Sequence, residues 1–233
     1  MIMGFNSKAF ILSKREIGDN NLTITFFTES HGKIDLLAKG ARKSKKRFQG
    51  KLEADNIYFI EFSKKNQDQI GSLIKIEISS DKYTEFDGTN LILKAFIFEL
   101  INNFEINDYP NAKVFKMMEN YINKKYSDET LKLTIKITLK YLKELGILPS
   151  IENCYKCKIK LKEISCFDIS NGGNTCINCS KNLKKLIKLK KKSIIINEIK
   201  SKIDTQKQFL LLLIRFSEFH SGKKFNSAQY LQL

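Results

Sequence analysis

Two C-x-x-C pairs set 18 residues apart constrain this chain more than any other feature of its sequence. The pairs are Cys154-Tyr-Lys-Cys157 and Cys176-Ile-Asn-Cys179, and their separation falls within the zinc-ribbon range. Each turn aims two thiolates at one point, and Zn²⁺ accepts four at the corners of a tetrahedron. The segment between the pairs is long enough for a hairpin, and Gly172-Gly173 supplies a turn ahead of the second pair. A four-thiolate site is closed to water and substrate, so the expected role is structural, with one Zn²⁺ per chain. The competing readings are a disulfide framework, which a cytosolic chain disfavours, and a site that has lost its metal. Cys166 lies on the alternating segment Ile164–Ile169. It is expected to be a small buried side chain rather than a fifth ligand.

The rest of the chain is of two kinds. Residues 1–80 hold short runs rich in Ile, Phe, Thr and Leu: Ser7–Lys14, Asn21–Thr28, Lys33–Ala38, Ile57–Phe62 and Gly71–Ile78. Turn residues such as Gly18-Asp19-Asn20 and Ser30-His31-Gly32 separate them. Five short strands suggest a small barrel, with an OB-fold the simplest candidate and another five-stranded barrel the alternative.

Residues 89–146 read as helical. Leu91, Ala95, Phe98 and Ile101 follow helical spacing, and Pro110 is placed to open a second helix at its first position. Ser127 can cap a third, with Asp128 and Glu129 in its first turn. Leu131, Ile135, Leu139, Leu142 and Leu145 form its stripe, and Leu133, Ile137 and Tyr141 widen it, as in a helix central to a bundle. Gly146 ends that helix and Pro149 forbids its return. Residues 193–221 again look helical, with Phe209, Leu212, Leu213, Phe216 and Phe219 facing a core. The expected fold is therefore α+β and multidomain. An OB-fold barrel (1–80) precedes a helical domain in two parts (81–153 and 181–233), with the four-cysteine, zinc-ribbon-like insert (154–180) between them.

Charge points to a partner. The 41 basic and 25 acidic residues leave a net of +16. Residues 1–80 carry +5, residues 81–150 are neutral and residues 151–233 carry +11. Such asymmetry suggests a polyanion, since each neutralised phosphate releases counterions. Lys-rich, Arg-poor composition is also what AT-rich coding produces. Lys39, Arg42, Lys43, Ser44, Lys45, Lys46 and Arg47 form a basic excursion between the third and fourth strands. Lys and Arg there suit phosphate, and Ser44 can donate to it. Phe48 either stacks on a base or tucks into the barrel, the second being preferred. A second basic run, residues 181–192, contains seven Lys, among them Lys184, Lys185 and Lys188. Leu183, Leu186 and Leu189 interleave with them, as in a packed, Lys-coated segment.

Other classes lack material. His31 and His220 are the two histidines, and neither adjoins a Cys or Ser motif. No phosphate-cradling glycine loop is present. The apolar run Phe209–Ile214 is far too short to span a bilayer, and no secretory signal follows the N-terminus. A soluble, cytosolic binding protein is expected rather than an enzyme.

Five segments in order resemble the bacterial RecO family of DNA repair and recombination mediators. They are Ile17-Gly-Asp-Asn-Asn-Leu22, Thr28-Glu-Ser-His-Gly-Lys-Ile34, Ala38-Lys-Gly-Ala-Arg-Lys-Ser44, Leu145-Gly-Ile-Leu-Pro149 and Gly172-Gly-Asn-Thr-Cys176. The chain departs from the family in having Ala54-Asp55-Asn56 where a Pro is common, and in Asp19 for a frequent Glu. Many members lack some or all of the four cysteines, so membership does not require zinc. The resemblance implies an OB domain, binding of single- and double-stranded DNA, and annealing of complementary strands. It also implies loading of RecA on strands coated by single-stranded DNA-binding protein (SSB), together with RecR, in the cytoplasm at the nucleoid. Members take the acidic, apolar SSB tail on the helical domain. Lys132, Lys136 and Lys140, four residues apart on the third helix, are the candidates to flank it here, a solvated helix face being the alternative. The competing function is an adaptor for acidic protein tails whose DNA contact is incidental.

Overall fold

The computed structural model of the 233-residue chain describes residues 3–44, 48, 52–65, 70–79, 88–124, 129–181, 183, 186–188 and 194–231. The chain divides into two compact units, Met1–Tyr126 and Ser127–Leu233.

In the first unit, β1 (Met3–Ile17), β2 (Asn21–Thr28), β3 (Gly32–Ala38), β4 (Tyr58–Lys64) and β5 (Gly71–Ile78) close into a barrel in the order β1-β2-β3-β5-β4. Every pairing is antiparallel except β3 with β5, where Leu36 lies opposite Gly71. This is a five-stranded OB-type barrel, as the strand count and turn spacing predict. Strand β3 alternates buried and half-buried residues, the mark of one face on the core. Ile11, Ile24, Phe26, Leu36, Ile60 and Phe62 fill the interior.

Strands β1 and β2 do not alternate, because helices α1 (Gly88–Phe104) and α2 (Ala112–Ile122) bury their outer face. Outward-facing Phe10 lies 5.5 Å from Phe27, 6.0 Å from Phe98 of α1 and 5.5 Å from Phe115 of α2, between ring centroids. Burial on both sides explains the unbroken buried stretches, residues 9–12 of β1 and 23–28 of β2.

Two expectations for these helices are corrected. Leu91 and Ala95 are exposed, and α1 instead buries Leu93, Phe96, Ile97, Leu100 and Ile101 beside Phe98. The helix is apolar on most sides, so spacing alone could not set its phase. Pro110 lies outside α2, whose cap is Asn111; the Asn111 side chain accepts the Val114 N–H at 3.2 Å.

Gly32 ties the barrel to the α1–α2 connection. Its φ is +65°, and a Cβ there would stand 2.1 Å from the Tyr109 carbonyl oxygen. Asp108 N–H donates to Lys33 O at 2.8 Å, and Lys33 Nζ donates to Asn102 O at 2.8 Å.

The second unit holds α3 (Thr130–Glu144), β6 (Glu163–Ile164), β7 (Cys166–Asp168), β8 (Gly173–Thr175), α4 (Ile177–Ser180), β9 (Leu186–Lys188), β10 (Ile194–Ile195) and α5 (Ile203–Ser221). Helices α3 and α5 pack together. On α3 the buried face is partly threonine: Thr130, Thr134 and Thr138 are buried with Ile135, Ile137, Tyr141 and Leu142. Thr134 and Thr138 each donate to the carbonyl four residues back at 2.8 Å, which satisfies their hydroxyls inside the fold. Leu131, Leu133, Leu139 and Leu145 are half-buried, so the apolar stripe read from sequence is displaced toward the threonines. Glu129 stands at the N-cap of α3; Ser127 and Asp128 lie outside the described residues.

Gly146, at φ +74°, closes α3 as the glycine of a Schellman turn. Ile147 N–H donates to Leu142 O and Gly146 N–H to Lys143 O, both at 3.0 Å. The helical reading of residues 193–221 holds from Ile203 onward. Before it run β10 and a turn of 3₁₀ helix, Ile196–Glu198. Phe209, Leu212, Leu213 and Phe216 are buried, and Phe219 is half-buried.

Candidate metal centre and nucleic-acid surface

The two C-x-x-C pairs converge. The Sγ atoms of Cys154, Cys157, Cys176 and Cys179 all lie within 4.8 Å of one another. Cys157 Sγ and Cys176 Sγ are 3.8 Å apart, about the edge of a tetrahedron with metal–sulfur bonds of roughly 2.3 Å. Local structure explains the convergence. Lys158, at φ +62°, turns the chain back after the first pair, with Lys158 N–H on Cys154 O and Cys154 N–H on Ile159 O, both 2.9 Å. Cys176 caps the short α4, whose Ser180 N–H returns to Cys176 O at 3.0 Å. Cys166 stays outside the cluster, half-buried in β7.

The electrostatics favour the thiolate at Cys154. Burial by itself would push the Cys154 thiol up. Hydrogen bonds from the backbone at Cys157, Cys176 and Lys156 outweigh it and bring the thiol down to about 6. Cys179 goes the other way, to about 12, because the neighbouring sulfurs of Cys176, Cys157 and Cys154 favour its protonated form. Without a cation among them, four close sulfurs cannot all ionise. The buried, N–H-ringed Cys154 and the close sulfurs fit a soft divalent ion such as Zn²⁺.

Asp168 supports this knuckle from behind, and sequence reasoning missed it. It is buried at the end of β7 and accepts from Tyr155 Oη (2.8 Å), Ser170 N–H (2.9 Å), Ser170 Oγ (2.6 Å) and Asn171 Nδ2 (2.9 Å). Burial pushes its carboxyl up, but these donors outweigh it and hold it at about 2. Tyr155 lies inside the first C-x-x-C pair, so the contact joins that turn to the β7–β8 hairpin. The hairpin has its own close approach: a Cβ at Gly173 would meet Ser150 Cβ at 2.9 Å. A single Asp ahead of a Ser-Asn turn carries little sequence signal, so nothing local marks Asp168 out.

In the first unit, the basic excursion is clamped at both ends. At its start, Arg42 Nη2 pairs with Glu16 Oε2 at 3.2 Å, and Nη1 donates to the carbonyls of Gly18 (3.3 Å) and Asp19 (3.4 Å). Gly40 N–H donates to Asn21 Oδ1 at 2.9 Å. At its far end, Phe48 and Leu52 are buried in the barrel core, so Phe48 is a core side chain and not a base-stacking one. Lys94 of α1 then grips Asp55, at 2.7 and 2.8 Å. Lys39 and Lys43 are exposed, and Ser44 Oγ accepts the Phe48 N–H at 3.2 Å. Lys45, Lys46 and Arg47 lie outside the described residues.

The comparisons with known proteins agree over both units. The description "Recombination protein O N terminal" matches residues 1–81, and "Recombination protein O C terminal" matches residues 85–229. The chain belongs to the RecO family. Among its relatives, the DNA repair protein RecO of Syntrophus aciditrophicus is 27% identical over 178 residues, 74% of this chain and 68% of that protein. That of Desulfatibacillum aliphaticivorans is 30% identical over 193 residues, 74% of this chain and 70% of its own. RecO membership places the chain in DNA repair and recombination.

The RecO-like segments acquire physical roles in the structure. Ile17–Leu22 and Ala38–Ser44 meet through Arg42 and Asn21. Thr28–Ile34 docks the α1–α2 connection through Gly32 and Lys33, and Leu145–Pro149 is the Schellman end of α3. Lys132, Lys136 and Lys140 all lie exposed along α3, with Lys132 Nζ 3.2 Å from Glu129. Of the second basic run, Leu186–Lys188 forms β9, which pairs with β7; the side chain of Lys188, and Lys184 and Lys185 entirely, lie outside the described residues. His31 packs edge-on between Phe5 and Phe62, and burial lowers its pKa. Among the described residues no helix is long and apolar enough to cross a membrane.

Proposed function

We propose that this RecO-family chain is a non-enzymatic recombination mediator. It binds single- and double-stranded DNA, anneals complementary strands and, with RecR, helps load RecA on SSB-coated strands. The observation that carries this reading is the basic excursion of an OB-type barrel, held by Arg42 at one end and by Phe48, Leu52 and Asp55 at the other. These anchors fix both ends of the excursion on the barrel, which keeps its basic residues beside that face. Annealing needs neutralisation and alignment of two strands, and no covalent step. Lys39, Arg42, Lys43, Lys45, Lys46 and Arg47 supply the barrel's charge, and Lys184, Lys185 and Lys188 a second basic stretch.

Zn²⁺ on Cys154, Cys157, Cys176 and Cys179 is the metal this reading takes, as a structural ion. When bound, it supplies four bonds that lock the two turns together. The exposed Lys132, Lys136 and Lys140 support a place for the SSB tail, and the cellular setting is the cytoplasm at the nucleoid. The same exposed lysines are what favours the second reading, an adaptor for acidic tails.

Strand annealing without ATP tests the proposal. Complementary strands coated with the cognate SSB are mixed with the protein beside naked-strand controls. Faster annealing of coated strands is expected. Annealing of naked strands alone would remove the SSB role, and no annealing of either would leave the adaptor reading. Lys136→Glu should weaken SSB-tail binding while DNA affinity holds.

A further inference from the structure

The first C-x-x-C turn carries a feature that neither the metal nor the barrel accounts for. Lys156, Lys158, Lys160 and Lys162 occur at every second position, and all four are exposed. Ile159, between two of them, is 56% exposed. The backbone beneath is well held: Asn153 bridges Lys160, Leu161 N–H donates to Glu152 O at 2.8 Å, and Cys154 N–H donates to Ile159 O at 2.9 Å.

Offsetting the thiolates does not use up these lysines. Residues 152–192 contain eleven Lys and three acidic residues, so the segment stays near about +6 after the −2 of a divalent ion on four thiolates. Of those three acids, Asp168 is buried and engaged by its own donors. Against the four exposed lysines, the same short stretch carries two exposed acidic residues, Glu152 and Glu163.

We propose that the Lys156–Lys162 ridge is a further nucleic-acid contact, beyond the barrel loop and the Lys184–Lys188 stretch, gripping the phosphate backbone of a DNA strand, and that the metal centre holds that ridge in shape. The ligand class follows from the donor set. The stretch has Lys and no Arg, the pattern of mobile point charges rather than forked recognition of one partner group. No aromatic side chain lies among the four lysines, so the ridge meets phosphates and is indifferent to sequence. The inference rests on the DNA-binding reading above. It adds a site to it and couples that site to the metal.

The test is the salt dependence of binding to a labelled oligodeoxythymidine strand, using the full metal-loaded chain. Lys156, Lys160 and Lys162 are replaced together by Gln. Lys158 is kept, because its Nζ donates to Tyr155 O at 2.7 Å and helps form the turn. The slope of log K against log salt should flatten by about 2, at roughly 0.7 for each phosphate that is no longer neutralised. Metal content and the thiolate absorption of the cobalt-substituted protein should stay unchanged, which separates a missing charge from a damaged fold.

Chelation of the wild type should flatten its slope by a similar amount, and chelation of the triple variant should add little further. A triple variant with the wild-type slope overturns the inference. So does one that fails to bind an acidic peptide while keeping its DNA slope, since the ridge would then be a protein-docking surface. A Lys39→Gln, Lys43→Gln variant run alongside separates the two claims: if its slope falls and the triple variant's does not, the barrel site stands and the ridge fails. If the wild type does not bind the strand at all, the DNA-binding reading itself fails.

Discussion

Lys94 and Asp55 form a buried ion pair, with the lysine 2% exposed and its Nζ within 2.7 and 2.8 Å of both carboxylate oxygens. Asp55 lies in the segment where RecO-like sequences commonly have proline, and Lys94 is the one basic residue of α1. The pair anchors the far end of the basic excursion to α1.

Removing one partner of such a pair is costly, because the other charge loses its counter-ion in a site shielded from water. Asp55→Ala should therefore destabilise the protein by about 3 kcal/mol, read as a lower urea midpoint at unchanged slope. Replacing both partners, Asp55→Leu with Lys94→Met, should recover much of that loss.

Gly32 and Gly18 both adopt left-handed backbone, at φ +65° and +58°, but their surroundings differ. A Cβ at Gly18 meets nothing within 4 Å, whereas one at Gly32 meets Tyr109 O at 2.1 Å. Gly18→Ala should cost about 1 kcal/mol of conformational strain. Gly32→Ala should cost clearly more, at least about 2 kcal/mol, because backbone must move. Parallel thermal melts of the two variants check the order.

The Asp168 carboxyl, held at about 2 against an ordinary 3.8, makes stability depend on pH. Its folded value is depressed, so its contribution is present above the ordinary value and is lost as pH falls through about 2. Asp168→Asn should cost about 2 kcal/mol at neutral pH and remove that part of the acid dependence. Urea unfolding of both proteins across the acid range measures the difference.

Metal and local folding should be coupled around the cysteines. The protein is expected to carry one Zn²⁺, measured by elemental analysis. Cys154→Ser should release it and open residues 150–180 to hydrogen exchange, while barrel amides remain protected. A metal-free protein with full protection there would reject the zinc assignment.

Much of the fold could be read from residues whose information is local. The strand runs of residues 7–78, the Gly146 stop and the paired cysteines all depend on neighbours a few positions away. The phase of α1 could not be read, because Leu91 and Leu93 are equally apolar and packing chooses between them. The threonine face of α3 was hidden for a related reason. A threonine reads as polar until its hydroxyl is seen to bond the preceding turn. Arg42 and Ser44 were legible as basic-loop residues, yet their contacts to Glu16, Gly18 and Phe48 emerge only once the loop is folded back.

The sequence by itself determined the barrel, the helices, the four-thiolate set and the basic surplus, since periodicity, spacing and charge are properties of single segments. Tertiary structure decided which groups those segments present to one another. It buried Lys94 on Asp55, fitted Gly32 beneath Tyr109, put Asp168 behind Tyr155 and drew Arg42 onto Glu16. Burial and pairing belong to two segments brought together, and their energies are set by a distance that no single stretch of chain contains.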